Sequence, residues 1–414
     1  METNSTQGLD ALLTAMIQSA EGISDLIFVA KRAPRIEVHG RLKPYAPETP
    51  ENILSSEQIE QLARLIIRDN ARLLQDLAER GSCDCSYSLP GNCRFRVNIY
   101  RQNGNFAMVL RRLQSKIPTL DALNLPPVFR EVIKEKTGLI FLTGGTGSGK
   151  TTTLAALLNE INQNDEVHIV TLEDPIEFLH PHKSATFSQR ELGRDFFNFP
   201  DGLRAALRQA PKIIFVGEIR DRDTMEIALT AGETGHLVLS TLHTISAGQT
   251  INRILGMFTK DEEQQVRERL VGSLRYVISQ RLVPKKGGGR LLATELMGSN
   301  LRSREAIALG ENENRRLSDI IEAGGTAGWH SFEQSLVKSF EADLITEETA
   351  LLYCQNKSAM HQRLDYIKKT QQAAHSSEGL KLKMDKTLPV APAMPKPPTA
   401  PPTLSSPQPP RPAA

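Results

Sequence analysis

The sequence predicts an α/β protein in which a small α+β domain precedes a larger domain built on a parallel sheet. Three observations carry this. Up to about residue 115, segments of alternating polarity are interspersed with amphipathic helical runs. From about residue 125 the texture changes to short continuous apolar runs separated by helical stretches. Between one such run and the next helix lies GGTGSGKTTT, Gly144–Thr153.

Taken in order, Leu9, Leu12, Leu13, Met16 and Ile17 follow helical spacing, so the chain opens with an amphipathic helix. DLIFVA (Asp25–Ala30) and RIEVHG (Arg35–Gly40) read as strands. Ile59, Leu62 and Ile66 then mark a helix, with Ser55 and Gln58 spaced as a capping box at its start. CRFRVNIY and FAMVLRR flank Asn103-Gly104, a hairpin signal. Residues 1–115 therefore form the first domain and 116–125, broken by proline, a linker.

In residues 126–370, GLIFLTG, VHIVTLED, KIIFVGE and HLVLSTLH are apolar runs followed at once by glycine, acid or histidine. Strands buried on both faces of a parallel sheet read this way, and α/β sheets bind ligands at the carboxyl ends of their strands. Val266, Leu270, Leu274, Val277 and Ile278 are spaced for one helical face, and LLATELM forms a further short apolar segment. Helical stretches continue to about residue 370. Residues 371–414 read as a disordered tail, since Pro389 to Pro412 holds 11 of the 24 prolines.

A net charge of +2 from 50 basic and 48 acidic residues gives no global footprint for nucleic acid, and none is expected as a partner. The start does not read as a secretory signal, and no run of 18 apolar residues is present, so a cytoplasmic location is expected. Cys83, Cys85, Cys93 and Cys354 make no CxxC pairs and are read as reduced thiols, with Cys83 and Cys85 set on opposite faces of a strand.

The segment from Gly144 to Thr151 fits G-x-x-x-x-G-K-[ST] in full, after an apolar strand and before a helix. Gly144, Gly145, Thr146, Gly147, Ser148 and Gly149 supply backbone amides to phosphate oxygens, together with the helix start at Thr152. Lys150 bridges phosphates, and the Thr151 hydroxyl takes a place on Mg²⁺. ATP and Mg²⁺ are the ligands this predicts. Hydrolysis also needs an oriented water and compensated charge. Glu173 and Glu218 both follow apolar strands, and either is suited to polarise water while the other acts on the metal through its water shell. His243 follows the carboxyl end of its strand and is suited to sense the γ-phosphate, whereas His236 precedes the amino end of the same strand. Arg94, Arg96 and Arg111 reach the nucleotide if the first domain leans over it, and are otherwise solvated strand residues.

Four boxes stand in fixed order: GGTGSGKTTTLAALL, TLEDPIEF, IIFVGEIRD and AGETGHLVLSTLHT. With GRLKPY, RFRVNIY and LNLPPVF, they make residues 8–367 resemble the type II/IV secretion ATPase superfamily, nearest its PilT/PilU-type branch of twitching-motility ATPases. The resemblance implies a PAS-like N-terminal domain and a RecA-like ATPase domain with C-terminal helices, assembled as a homohexamer. It implies an ATP-hydrolysing motor for type IV pilus retraction, peripheral at the inner membrane, that drives a platform protein there. It also assigns Glu173, Glu218 and His243 to the site and directs Arg96 and Arg111 at the phosphates. Chain positions 94–353 hold no cysteine, so the four-cysteine zinc element of assembly and type II secretion ATPases is absent, which favours retraction. Lys212 stands where the superfamily has an acid and is read as reversing a charge near the active rim. SREAIALGENEN and Ile27 also depart from the retraction pattern. An accessory PilU-like ring partner of an active paralogue, or an assembly or secretion ATPase, is the alternative.

Overall fold

The computed structural model describes residues 5–91, 93–113 and 116–379. Residues 1–364 form one compact unit and 365–414 a second. The first half of the compact unit starts with α1 (Thr6–Gln18), whose Ser5 side chain caps the amide of Gly8. Strands β1 (Ile23–Val29), β2 (Arg35–Val38) and β3 (Arg41–Pro44) follow, then α2 (Ser56–Ile67), α3 (Ala71–Arg80), β4 (Ser82–Leu89), β5 (Cys93–Gln102) and β6 (Asn105–Arg112). The strands pair antiparallel in the order β3-β2-β1-β6-β5-β4.

The three helices bury one face of this sheet. Leu9, Leu13, Ile59, Leu62, Phe28, Phe95 and Ile99 are wholly enclosed between them. Ser55 and Gln58 form the expected capping box at the start of α2. Setting Cys83 and Cys85 on opposite faces is an error of period: residues two apart in a strand share a face. Both point toward the core in β4, and all four cysteines are free thiols.

A short helix, α4 (Val128–Val132), leads into β7 (Gly138–Thr143), α5 (Lys150–Asn164), β8 (His168–Glu173), β9 (Thr186–Glu191), α6 (Phe199–Ala206), β10 (Ile213–Val216), α7 (Arg222–Glu233) and β11 (Leu237–Leu242). After α8 (Ala247–Leu255) and α9 (Glu263–Ser273) come the hairpin strands β12 (Leu274–Pro284) and β13 (Arg290–Gly298). The sheet order is β13-β12-β7-β11-β10-β8-β9, parallel throughout except for the β13 edge. All four apolar runs anticipated as buried strands are strands. Every residue of β7, β10 and β11 is buried. Leu120 of the linker is buried in the core of this second sheet.

Leu274, Val277 and Ile278 do not continue a helix. The chain leaves α9 at Ser273 and they line β12, sandwiched between β7 and β13. A strand with both neighbours occupied loses polar alternation, so its apolar positions can imitate helical spacing. The chain then runs through α10 (Leu301–Leu309), α11 (Leu317–Glu322), α12 (Phe332–Glu341), α13 (Glu347–Tyr353) and α14 (Lys357–Gly379). The described part of the second unit is the remainder of α14, which is helical where the tail was expected to begin at residue 371. Pro389 to Pro412 lies outside the described residues.

Candidate active site

The parallel sheet delivers the ends of β7, β8, β10 and β11 to one rim. At the end of β7 the chain turns sharply into the glycine-rich loop. Gly144 has φ 146°, and a Cβ there would lie 2.5 Å from Ser148 Oγ and 2.6 Å from the Gln280 carbonyl. Gly147 and Gly149 also take positive φ. Lys150 is 9 % exposed, and its Nζ donates to the carbonyls of Gly144 (2.8 Å) and Gly145 (3.1 Å). No side chain caps the α5 N-terminus, and Ser148 Oγ is buried without a partner. The uncapped α5 N-terminus and a lysine ammonium thus stand together at the end of β7, the pattern that holds phosphate.

Acids face this lysine. Burial lowers the Lys150 pKa, and the Glu218 and Glu177 carboxylates oppose that. Glu218 lies just past β10, where the Gly217 amide donates to the Leu172 carbonyl at 2.8 Å and a Cβ on Gly217 would lie 3.2 Å from that oxygen. Its Oε2 accepts from Arg220 Nη2 at 2.7 Å, and its Oε1 is 3.1 Å from His243 Nε2. Burial pushes the Glu218 carboxyl up, but Arg220 and His243 outweigh it and hold it below the usual range.

Glu173 occupies the buried end of β8. Its Oε1 accepts from Thr171 Oγ1 (2.6 Å) and Gln189 Nε2 (3.2 Å), and the Glu177 amide also donates to the carboxylate. Burial nevertheless pushes its pKa up to about 7. Glu177 was not singled out in the sequence. Its signal was present in EDPIEF, four residues after Glu173 in the turn that follows a strand end.

Arg96 and Arg111 are cross-strand neighbours on β5 and β6. Arg111 Nε donates to the buried Asp25 carboxylate at 2.9 Å, although its side chain stays 69 % exposed. Arg96 is exposed, and its field reaches the turn after β8: burial pushes the Asp174 carboxyl up, and Arg96 and then Arg220 pull it back. Arg94 does not face solvent. It is buried in an ion pair with Glu191. His236 sits at the amino end of β11, as expected. Lys212, read as close to the rim, is at the opposite end of the sheet. It precedes β10, its amide donates to the His168 carbonyl at the start of β8, and the four residues of β10 put about 13 Å, at 3.3 Å per residue, between it and the carboxyl end of that strand. Nearness to IIFVGE in the chain does not tell which end of the strand a residue occupies.

For Mg²⁺ the donors fit. Thr151 stands in the first turn of α5, and the Glu218 and Glu177 carboxylates act on its neighbour Lys150. Mg²⁺ normally keeps several waters and shares phosphate oxygens, so one hydroxyl with carboxylates nearby is a suitable set. Among the described residues no group of three or more His, Cys, Asp or Glu could hold a metal ion on its own, and no helix is long and apolar enough to cross a membrane.

A phosphate loop at the head of a parallel sheet, facing strand-end acids, defines a P-loop ATPase. The chain belongs to the Type II/IV secretion system protein family, which matches residues 12–385. It is 41 % identical over 330 residues to the type IV pilus retraction ATPase PilT of Pseudomonas aeruginosa, covering 80 % of this chain and 94 % of that protein. The type IV pilus ATPase PilU of the same organism is 36 % identical over 345 residues, 83 % of this chain and 88 % of its own. A crystal structure of the pilus retraction motor PilT with bound ADP superposes with a TM-score of 0.77 at 39 % identity, covering 85 % of this chain and 98 % of that one.

Proposed function

We propose that this chain is an ATP-hydrolysing motor that powers type IV pilus retraction, working as a homohexamer on an inner-membrane platform protein. The observation that carries the chemistry is the placement of Glu218, ionised and held by Arg220 and His243, opposite Lys150 in the loop. Similarity to a retraction ATPase over most of both chains carries the biological role.

In this reading residues 1–115 are a PAS-like domain and 126–370 a RecA-like ATPase domain. Amides of Gly145 to Thr152 and the Lys150 ammonium bind the β- and γ-phosphates. Mg²⁺ bound at Thr151 and phosphate oxygens would neutralise charge on the transferring group. Glu218 accepts a hydrogen bond from the attacking water and receives its proton, and its low pKa keeps it ionised for that role. His243 and Arg220 fix the carboxylate's orientation. Glu173 anchors the turn through the Glu177 amide, and Glu177 is the second acid facing Lys150. Arg96 and Arg111 provide positive charge from the N-terminal sheet.

A strain lacking this chain should carry an excess of surface pili and lose twitching. A pilus-free strain would make it an assembly motor instead. The similarity to PilU supports a second reading, an accessory ring partner that turns over little ATP itself. Complementation with Glu218→Gln separates the two: lost motility supports the motor, and intact motility the accessory role.

A further inference from the structure

Glu191 is the last residue of β9 and the register partner of Glu173. Its side chain and that of Arg94 are each only 8 % exposed, buried where the N-terminal sheet meets the parallel sheet. Every oxygen of the carboxylate is engaged. Oε1 accepts from Ser86 Oγ at 2.6 Å, and Oε2 accepts from Arg94 Nη2 at 2.7 Å and from the amide of Ile176 at 3.2 Å. Arg94 Nη2 also donates to Ser86 Oγ at 2.8 Å. The Glu191 backbone is fixed in turn, with its amide on Asp195 Oδ2 and its carbonyl accepting from the Asp195 amide.

Ile176 lies within the turn that carries Asp174 and Glu177. Two successive amides of that turn are therefore held by two paired strand-end carboxylates: Ile176 by Glu191, and Glu177 by Glu173. On the other side of the ion pair, Arg94 shares a face of β5 with Arg96, the residue whose charge reaches Asp174. We infer that the Arg94–Glu191 pair is a positioning clamp for the hydrolytic reaction, by which the N-terminal sheet holds the turn bearing Glu177 against the phosphate loop and aims Arg96 at it. Neither residue touches the phosphate loop, and the clamp acts through Ile176 and Arg96. Its catalytic part rests on the ATPase reading above, whereas its structural part does not.

A buried pair stripped of one partner leaves an uncompensated charge, so single substitutions would confound folding with function. The informative variant is the double Arg94→Met/Glu191→Met, which replaces the pair by apolar side chains and leaves no buried charge, yet removes the acceptor for the Ile176 amide. Its companion is the double Arg94→Met/Glu191→Gln, which also leaves no buried charge, while the Gln amide oxygen can still accept from Ile176. Three measurements on the full chain decide: hydrogen exchange of the 174–178 segment, steady-state ATP hydrolysis, and ADP affinity. In Arg94→Met/Glu191→Met, exchange at 174–178 should accelerate while α5 keeps its protection. The kcat should fall roughly 10- to 100-fold, the effect of a small misplacement in an active site, with ADP affinity within about twofold. Arg94→Met/Glu191→Gln should recover protection and part of kcat. Unchanged exchange at 174–178 in both variants overturns the clamp whatever the hydrolysis rate. Accelerated exchange with wild-type kcat overturns its catalytic role. A wild-type protein without hydrolysis would instead sink the ATPase reading, and exchange would still decide the clamp.

Discussion

Gly144 concentrates the requirements of the phosphate loop in one residue. Its φ of 146° lies where a side chain is strained, and the space for a Cβ is already taken by Ser148 Oγ and a backbone carbonyl of β12. Gly144→Ala should therefore destabilise the protein by about 1–3 kcal/mol and weaken nucleotide binding. Thermal melting and ADP titration check this, and an unperturbed variant would show that the loop's path is not fixed here. Glu173 makes a pH prediction with a definite sign. Its pKa is pushed from an ordinary 4.5 up to about 7 in the folded state, so the folded protein retains a proton that the unfolded chain releases. The stability this contributes is present below about pH 4.5 and is lost as pH rises through 7. Glu173→Gln keeps an acceptor without the charge, so its melting temperature relative to wild type should rise between pH 5 and pH 8. At roughly 2–4 °C per kcal/mol, a change on the order of 5 °C is expected. A constant difference would show that Glu173 does not titrate in that window. Of the candidate residues, Glu218 and His243 were legible because each stands just past a buried apolar strand, and Lys150 because it closes the glycine-rich motif between a strand and a helix. The Glu191 carboxylate was not, because its partners Ser86, Arg94 and Ile176 are distant from it in sequence.

At the level of elements, local chemistry was readable wherever one signal dominated. The capping box at α2 is such a case, with Ser55 Oγ accepting from the Gln58 amide and Gln58 Oε1 accepting from the Ser55 amide. Ser55→Ala should cost about 1 kcal/mol, measurable by denaturant unfolding, with hydrolysis unaffected. An unchanged midpoint would mean that packing of Ile59, Leu62 and Ile66 alone holds the helix. The strands β7, β8, β10 and β11 were legible because burial on both faces leaves unbroken apolar runs. By contrast β9, TFSQRE, carries five polar residues in six at a sheet edge and gave no apolar signal. The strand β4, SCDCSYSL, was hidden by small polar residues that face away from the helices. In β12 the burial that made its neighbours readable produced a false helical period instead.

Across the whole molecule, the order of boxes along the chain becomes an arrangement in space because parallel strands share a direction. The phosphate loop, Glu173, Glu218 and His243 all fall at the carboxyl rim, while Lys212 and His236 fall at the other end. What sequence could not supply was the junction between the two sheets, since whether Arg94 reaches a nucleotide or an acid depends on how separate elements pack. The central claim is that Lys150 holds a triphosphate for cleavage by water that Glu218 orients. Its most direct test is Mg²⁺-dependent ATP hydrolysis by the purified protein, with nucleotide binding measured alongside for Lys150→Ala and Glu218→Gln. The account predicts turnover by the wild type, loss of both binding and turnover in Lys150→Ala, and retained binding in Glu218→Gln with kcat lowered by roughly 10²- to 10⁴-fold. Wild-type turnover in either variant would contradict it.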